Sequence, residues 1–145
     1  MKKISSMAVY CGSSIGNNHL FFEAAENIGK FLANNNIKLI YGGGNLGLMG
    51  AVSGAALKNG GEVMGVITSH LINKEKINED LTDIHIVDSM SERKNKMFNA
   101  ADAFLILPGG IGTLEEFFEI LSWKQLKIHS KDILIYNVNN YWDDL

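Results

Sequence analysis

Three apolar runs in this chain pass straight into glycine. Val9-Tyr10-Cys11 leads to Gly12-Ser13-Ser14, Leu39-Ile40-Tyr41 to Gly42-Gly43-Gly44, and Leu105-Ile106-Leu107 to Pro108-Gly109-Gly110. A short run that is apolar throughout reads as a strand buried on both faces. Glycine directly after it lets the backbone turn sharply and approach other groups closely. The full set of runs is Met7–Cys11, Ile37–Tyr41, Val63–Ile67, Ile84–Val87, Ala103–Leu107 and Ile133–Tyr136. Between them, 3.6-residue periodicity predicts helices over Leu20–Asn34, Leu48–Lys58, Ser91–Ala101 and Leu114–Lys127. The polar stretch Ser69–Asp83 reads as a loop. Strands alternating with helices make an α/β protein, a single doubly wound parallel sheet with helices on both faces, over residues 1–145. In such a sheet all three glycine turns fall at the carboxyl edge, where open α/β folds bind ligands.

Composition narrows the function classes. With 13 Lys and Arg against 16 Asp and Glu, the net charge of -3 offers no footprint for nucleic acid. No window approaches the roughly 18 apolar residues of a membrane span. The run Met7–Cys11 is shorter than the roughly 7–15 residues of a signal-peptide core. Cys11 is the single cysteine, so no intramolecular disulfide forms, and a reducing, cytoplasmic setting is expected. Cys11 itself reads as a small core residue. His19, His70, His85 and His129 lack metal-ligand spacing, so no metal site is expected. Trp123 and Trp142 read as packing.

Gly42–Gly47, GGGNLG, formally satisfies G-x-G-x-x-G. A dinucleotide site would also need an acid about 20 residues on, to hold a ribose hydroxyl. The next run ends at Ile67-Thr68-Ser69 without one, and no Walker lysine follows Gly47 or Gly50. A NAD-linked dehydrogenase or P-loop NTPase is disfavoured, while close approach to a smaller ligand remains open. The turn Pro108-Gly109-Gly110-Ile111-Gly112-Thr113, entering a helix, is suited to an anion such as phosphate. Glu116 has two readings. Thr113-x-x-Glu116 is a capping-box pattern, and the same carboxylate could serve chemistry. Glu115 is an acid favoured by a helix N-terminus. In Met90–Phe98, Arg93 and Lys94 project near the apolar stripe of Met90, Met97, Phe98 and Ala101. A buried guanidinium there calls for an anionic partner, unless these side chains reach solvent along their stems.

PGGIGTLEE at Pro108–Glu116 resembles the PGGxGTxxE signature of the LOG (Lonely Guy) family, the cytokinin riboside 5'-monophosphate phosphoribohydrolases. MSERKNKM at Met90–Met97 is similar to that family's second signature, with its arginine–lysine pair. GGGNLGLMG at Gly42–Gly50 and CGSS at Cys11–Ser14 are also similar, and the likeness runs from about Met7 onward. It implies a Rossmann-like homodimer that hydrolyses the N-glycosidic bond of nucleoside 5'-monophosphates such as AMP or its N6-substituted forms. Arg93 and Glu116 match the catalytic pair. Lys94, Gly109, Gly110, Ile111, Gly112, Thr113, Leu114 and Glu115 match nucleotide-binding positions, Arg93 also contacting substrate. Glu75 and Ser122 fall where the family has further contacts, and Ser13 and Gly44, in the other two glycine turns, complete the set. The family's usual continuation by a further strand or helix is expected to be missing after Leu145. No cofactor is implied, and no lysine–acid arrangement for pyridoxal phosphate supports a decarboxylase. A carrier or sensor that binds nucleotides without catalysis is the competing reading. It would use the glycine turns but would not need Arg93 and Glu116 together.

Overall fold

The computed structural model describes residues 3–14, 16 and 18–145. In chain order it contains β1 (Ser6–Tyr10), α1 (His19–Asn34), β2 (Lys38–Tyr41), α2 (Gly47–Lys58) and β3 (Val63–Thr68). A 3-10 turn at Ser69–Leu71 runs into the single turn α3 (Ile72–Glu75). There follow β4 (Asp83–Val87), α4 (Met90–Ala100), β5 (Ala103–Ile106), α5 (Ile111–Gln125) and β6 (Asp132–Ile135), then a 3-10 turn at Val138–Asn140. The strands form one six-stranded sheet in the order β4-β3-β2-β1-β5-β6. Every pairing is parallel.

Side chains alternate across each strand, so the sheet feeds two cores. On one face Val9, Leu39, Tyr41 and Leu105 pack with Ala25 and Leu32 of α1 and Val52 of α2. On the other, Ala8, Ile40, Val66 and Phe104 pack with Met97 of α4 and Phe117 and Ile120 of α5. Helices α1 and α2 meet closely at buried Gly29, where a Cβ would collide with the Val52 carbonyl. Asn18 caps α1 by accepting from the Leu20 N–H at 2.9 Å, and Ser89 caps α4 by accepting from the Glu92 N–H at 3.1 Å.

Burial on both faces holds for β1, β2, β3 and β5 but not for the two outer strands. Ile84 and Ile86 of β4 and Leu134 and Ile135 of β6 are exposed, because a strand at the rim has covering elements on fewer sides. Three further departures bear on the site. The stretch Ser69–Asp83 is not all loop. It carries α3 and is stitched to the β2 turn by a Gly44–Ile77 bridge and by the Asn78 N–H donating to Gly43 O at 3.1 Å. Helix α5 begins at Ile111, three residues ahead of the periodicity, because glycine-rich Ile111-Gly112-Thr113 carries no apolar stripe to reveal it. Among the described residues no helix is long and apolar enough to cross a membrane.

Candidate active site

The chain lays down β1, β2, β3 and β4 outward in one direction, then crosses from β4 to β5 on the far side of β1. The turns after β1 and β5 therefore diverge, which opens a crevice at the carboxyl edge. At their base they meet where the Gly12 N–H donates to Pro108 O at 3.0 Å. Above them lies a cavity of about 510 Å³ walled by Cys11–Ser14, the Pro108–Thr113 turn, Gly42, Glu75, Arg93, Glu115 and Glu116.

Arg93 is 5% exposed, so its charge has to be satisfied by protein groups. Its Nε donates to Val66 O at 2.9 Å, and its Nη2 donates to Gly42 O at 2.6 Å and to Glu75 Oε2 at 3.0 Å. The anionic partner expected from sequence is thus Glu75, delivered by α3. The arginine does not reach solvent along its stem. Among the described residues its Nη1 meets the Met90 sulfur at 4.0 Å, and both residues line the cavity. Gly42 is glycine for this arrangement, since a Cβ there would collide with the guanidinium.

Glu116 lies on α5, facing the cavity. The capping-box reading does not hold. With Gly110 as N-cap, Thr113 is already the third helical residue and Glu116 lies beyond the capping positions. No hydrogen bond restrains its carboxylate among the described residues. Burial pushes its pKa up to about 7, Arg93 opposes that shift, Glu115 and Glu75 add to it, and Lys94 opposes it. Burial also raises the Cys11 thiol and the Tyr10 phenol, with the Glu116 charge adding to both.

Lys94 is not in the cavity wall. Its ammonium donates to Glu115 Oε1 at 2.5 Å and Glu119 Oε2 at 2.9 Å, tying α4 to α5. The bond to Glu115 raises its pKa, partial burial opposes this, and the bond to Glu119 adds to the rise. Leu114 and Ser122 also lie off the wall. On a helix of 3.6 residues per turn they point about 160° and 120° away from Glu116. Gly44 lies beneath the cavity, its carbonyl accepting from the Tyr41 hydroxyl at 2.9 Å. Of the residues expected to bind substrate, Ser13, Glu75, Arg93, Gly109, Gly110, Ile111, Gly112, Thr113 and Glu115 line one cavity.

The glycines of the two helix-entering turns have different neighbours. A Cβ at Gly47 would strike the Ser13–Ser14 backbone, so that glycine makes room for a neighbouring turn of the protein. In the β5 turn, Gly109 is needed against Thr113, whereas a Cβ at Gly110 or Gly112 would meet no protein atom within 4 Å. The first backbone bond of α5 is Leu114 N–H to Gly110 O at 3.1 Å, which leaves the preceding N–H groups without acceptors among the described residues. Such a turn can receive an anion.

Sequence reading missed several wall residues. Cys11 is buried as expected, yet it also lines the cavity, as does Tyr10 beside it. Met49, Leu71 and Met90 supply apolar wall, and Tyr141 lines the cavity with them. Tyr10, Cys11 and Met49 carry one signal, their place beside or within a glycine motif, whereas Leu71, Met90 and Tyr141 have no such local signal. Trp123 does pack, edge-on against Phe98 at 5.0 Å.

The family described as possible lysine decarboxylase matches residues 49–145. A rice (Oryza sativa subsp. japonica) protein named as a probable cytokinin riboside 5'-monophosphate phosphoribohydrolase is 46% identical over 139 residues, covering 96% of this chain and 61% of that protein. A Rhodococcoides fascians cytokinin riboside 5'-monophosphate phosphoribohydrolase is 42% identical over 141 residues, covering 97% of this chain and 71% of that one. The chain thus spans less than two thirds of the rice relative's length. Among solved structures, the Moco carrier protein of Chlamydomonas reinhardtii has the same fold, with TM-score 0.74 at 20% identity over 92% of this chain and 76% of that one.

Proposed function

This chain belongs to the family of the cytokinin riboside 5'-monophosphate phosphoribohydrolases, and from that premise we propose that it hydrolyses the N-glycosidic bond of a purine nucleoside 5'-monophosphate. AMP and its N6-substituted relatives are the substrate class, and free base and ribose 5-phosphate are the products. The observation that carries this reading is the meeting of a buried guanidinium, an unrestrained carboxylate and an open glycine turn suited to an anion in one cavity.

Water adds to C1' of the ribose while the C1'–N9 bond breaks. The bond's electron pair leaves with the purine, which takes up a proton. Positive charge grows on the ribose, as in other glycosidic cleavages. Ionised Glu116 stabilises that charge and accepts the proton of the attacking water. Arg93 offsets the negative charge on the departing base. The 5'-phosphate on Gly110–Thr113 anchors the ribose, so remote binding orients the reacting carbon. Lys94 acts at one remove by neutralising Glu115 and Glu119. A Schiff-base lysine is missing from the described cavity wall, which favours glycosidic hydrolysis over decarboxylation.

The setting is the cytoplasm, the whole chain is one nucleotide-binding domain, and the assembly is a homodimer. The dimer rests on the outer face of α5, where Ile111, Phe118 and Leu121 are 85%, 51% and 42% exposed at helical spacing. Met97 and Phe117, on the neighbouring helices α4 and α5, are buried in the chain's own core and do not contribute to that face. Incubation with AMP and with isopentenyladenosine monophosphate, followed by chromatography for free base, tests the activity. Release from either supports it, and no release from either refutes it. Binding of both nucleotides without cleavage would favour the carrier reading.

A further inference from the structure

The segment after β6 reaches back over the glycine turn of β5. Asn139 and Asn140 have φ of 50° and 61°, the left-handed region that asparagine tolerates better than most residues. They reverse the chain so that Tyr141 comes to rest beside Gly109. The hook is fastened on both sides. Asn137 Oδ1 accepts from the Trp142 N–H at 2.6 Å, and Asn137 Nδ2 donates to Asp143 Oδ1 at 2.7 Å. The Tyr141 ring stands edge-on to Phe21 at 5.3 Å and to Trp142 at 4.6 Å. Its hydroxyl donates to Gly109 O at 2.5 Å, and the residue lines the cavity.

A peptide unit is planar and trans, so fixing its carbonyl fixes the direction of its N–H. The Gly109 carbonyl shares a peptide unit with the Gly110 N–H. The preceding carbonyl, Pro108 O, shares one with the Gly109 N–H and is held by Gly12 at 3.0 Å. Two consecutive peptide units at the head of α5 are therefore clamped by their carbonyls, one from the β1 turn and one from Tyr141. Glycine on both sides leaves this turn little intrinsic stiffness, so the clamps have to supply it.

We propose that Tyr141 is a positioning residue for the phosphate-binding turn, orienting the Gly110 N–H toward the 5'-phosphate through the Gly109 carbonyl. The segment after β6 is on this view part of the active site. The inference rests on the proposed phosphate anchor and goes beyond it in naming what preorganises that anchor.

Tyr141→Phe keeps the ring contacts and removes only the hydroxyl. One lost hydrogen bond corresponds to roughly a three- to tenfold effect. The expected result is that loss in kcat/KM for AMP, with adenosine changed less than twofold and the unfolding midpoint nearly unmoved. Ribose 5-phosphate, titrated calorimetrically, should bind more weakly by the same factor. A packing role alone would lower both substrates together, and that result overturns the proposal. Unchanged AMP kinetics and unchanged ribose 5-phosphate binding in Tyr141→Phe also overturn it. Wild-type protein that binds ribose no worse than ribose 5-phosphate would overturn the anchor itself and the inference with it. A wild-type preference for the phosphate that is undiminished in Tyr141→Phe overturns the inference alone.

Discussion

The Glu75 carboxylate meets the Arg93 guanidinium at 3.0 Å, and the two side chains are 16% and 6% exposed. Glu75 comes from a single helical turn, α3, that owes its place to backbone bonds with the β2 turn. Those bonds are the Gly44–Ile77 bridge and the Asn45 N–H donating to Glu75 O at 3.0 Å. The pair therefore joins the least regular part of the chain to the most buried cation of the site. Glu75→Ala should destabilise the fold by about 3 kcal/mol, the scale of a buried charge losing its partner. Glu75→Gln should cost much less, because an acceptor remains. Urea unfolding of the two variants checks the difference.

Glu116→Gln should lower kcat on the order of 100-fold or more, as for other acid–base groups, with KM little changed. Its effect on stability has a definite sign. The folded pKa is raised from 4.5 to about 7, so the native state holds more protons than the unfolded chain in between. Wild-type stability accordingly falls as pH rises through that window and stays lower above it. The glutamine variant lacks this fall. It should melt higher than wild type above pH 7 and lose that advantage below about pH 5.

Activity should follow the same ionisation in the productive direction. kcat/KM for AMP is expected to rise with pH as Glu116 loses its proton near pH 7. Lys94→Met removes a cation that lowers the Glu116 pKa, so the acid limb should move to higher pH. If Lys94 bound the nucleotide directly, KM would rise at every pH without that displacement.

Gly109 and Gly110 should behave differently when given a side chain. Gly109→Val places its Cβ against Thr113 and should lower the unfolding midpoint. Gly110→Val meets no protein atom within 4 Å, so the fold should survive while KM for AMP rises at least tenfold. Thermal unfolding and initial rates on the two proteins separate the cases.

Phe118→Asp combined with Leu121→Asp should leave a folded monomer, because both side chains are largely solvent-exposed in the single chain. Sedimentation at micromolar concentration should then show the dimer lost. An unchanged sedimentation coefficient, whether of monomers or dimers, would show that this face of α5 is not the contact.

The order of strands and helices was legible because buried parallel strands and amphipathic helices leave distinct periods. The three glycine turns pointed to the cavity for the same reason, as each follows a strand end and lends it wall. What was not legible depends on contacts between distant segments. Whether Thr113 caps Glu116 turned on where α5 begins, and a helix start in Gly-Gly-Ile-Gly has no local marker. Lys94 stands next to Arg93 in sequence, yet about 100° of helix rotation sends one to α5 carboxylates and the other into the sheet edge. Tyr141 lies 32 residues from the carbonyl it holds, so no local pattern could have joined them.

The turns around the cavity lean on one another: Gly12 on Pro108, Gly47 on Ser13–Ser14, Arg93 on Gly42 and Val66, and Tyr141 on Gly109. A segment tied this way has no private opening motion. Releasing one turn removes a support from the next, so the rim opens as a cooperative unit and not loop by loop. Amide hydrogens of Gly12, Asn45 and Asn78, although they belong to three separate loops, should therefore exchange with solvent at a common rate.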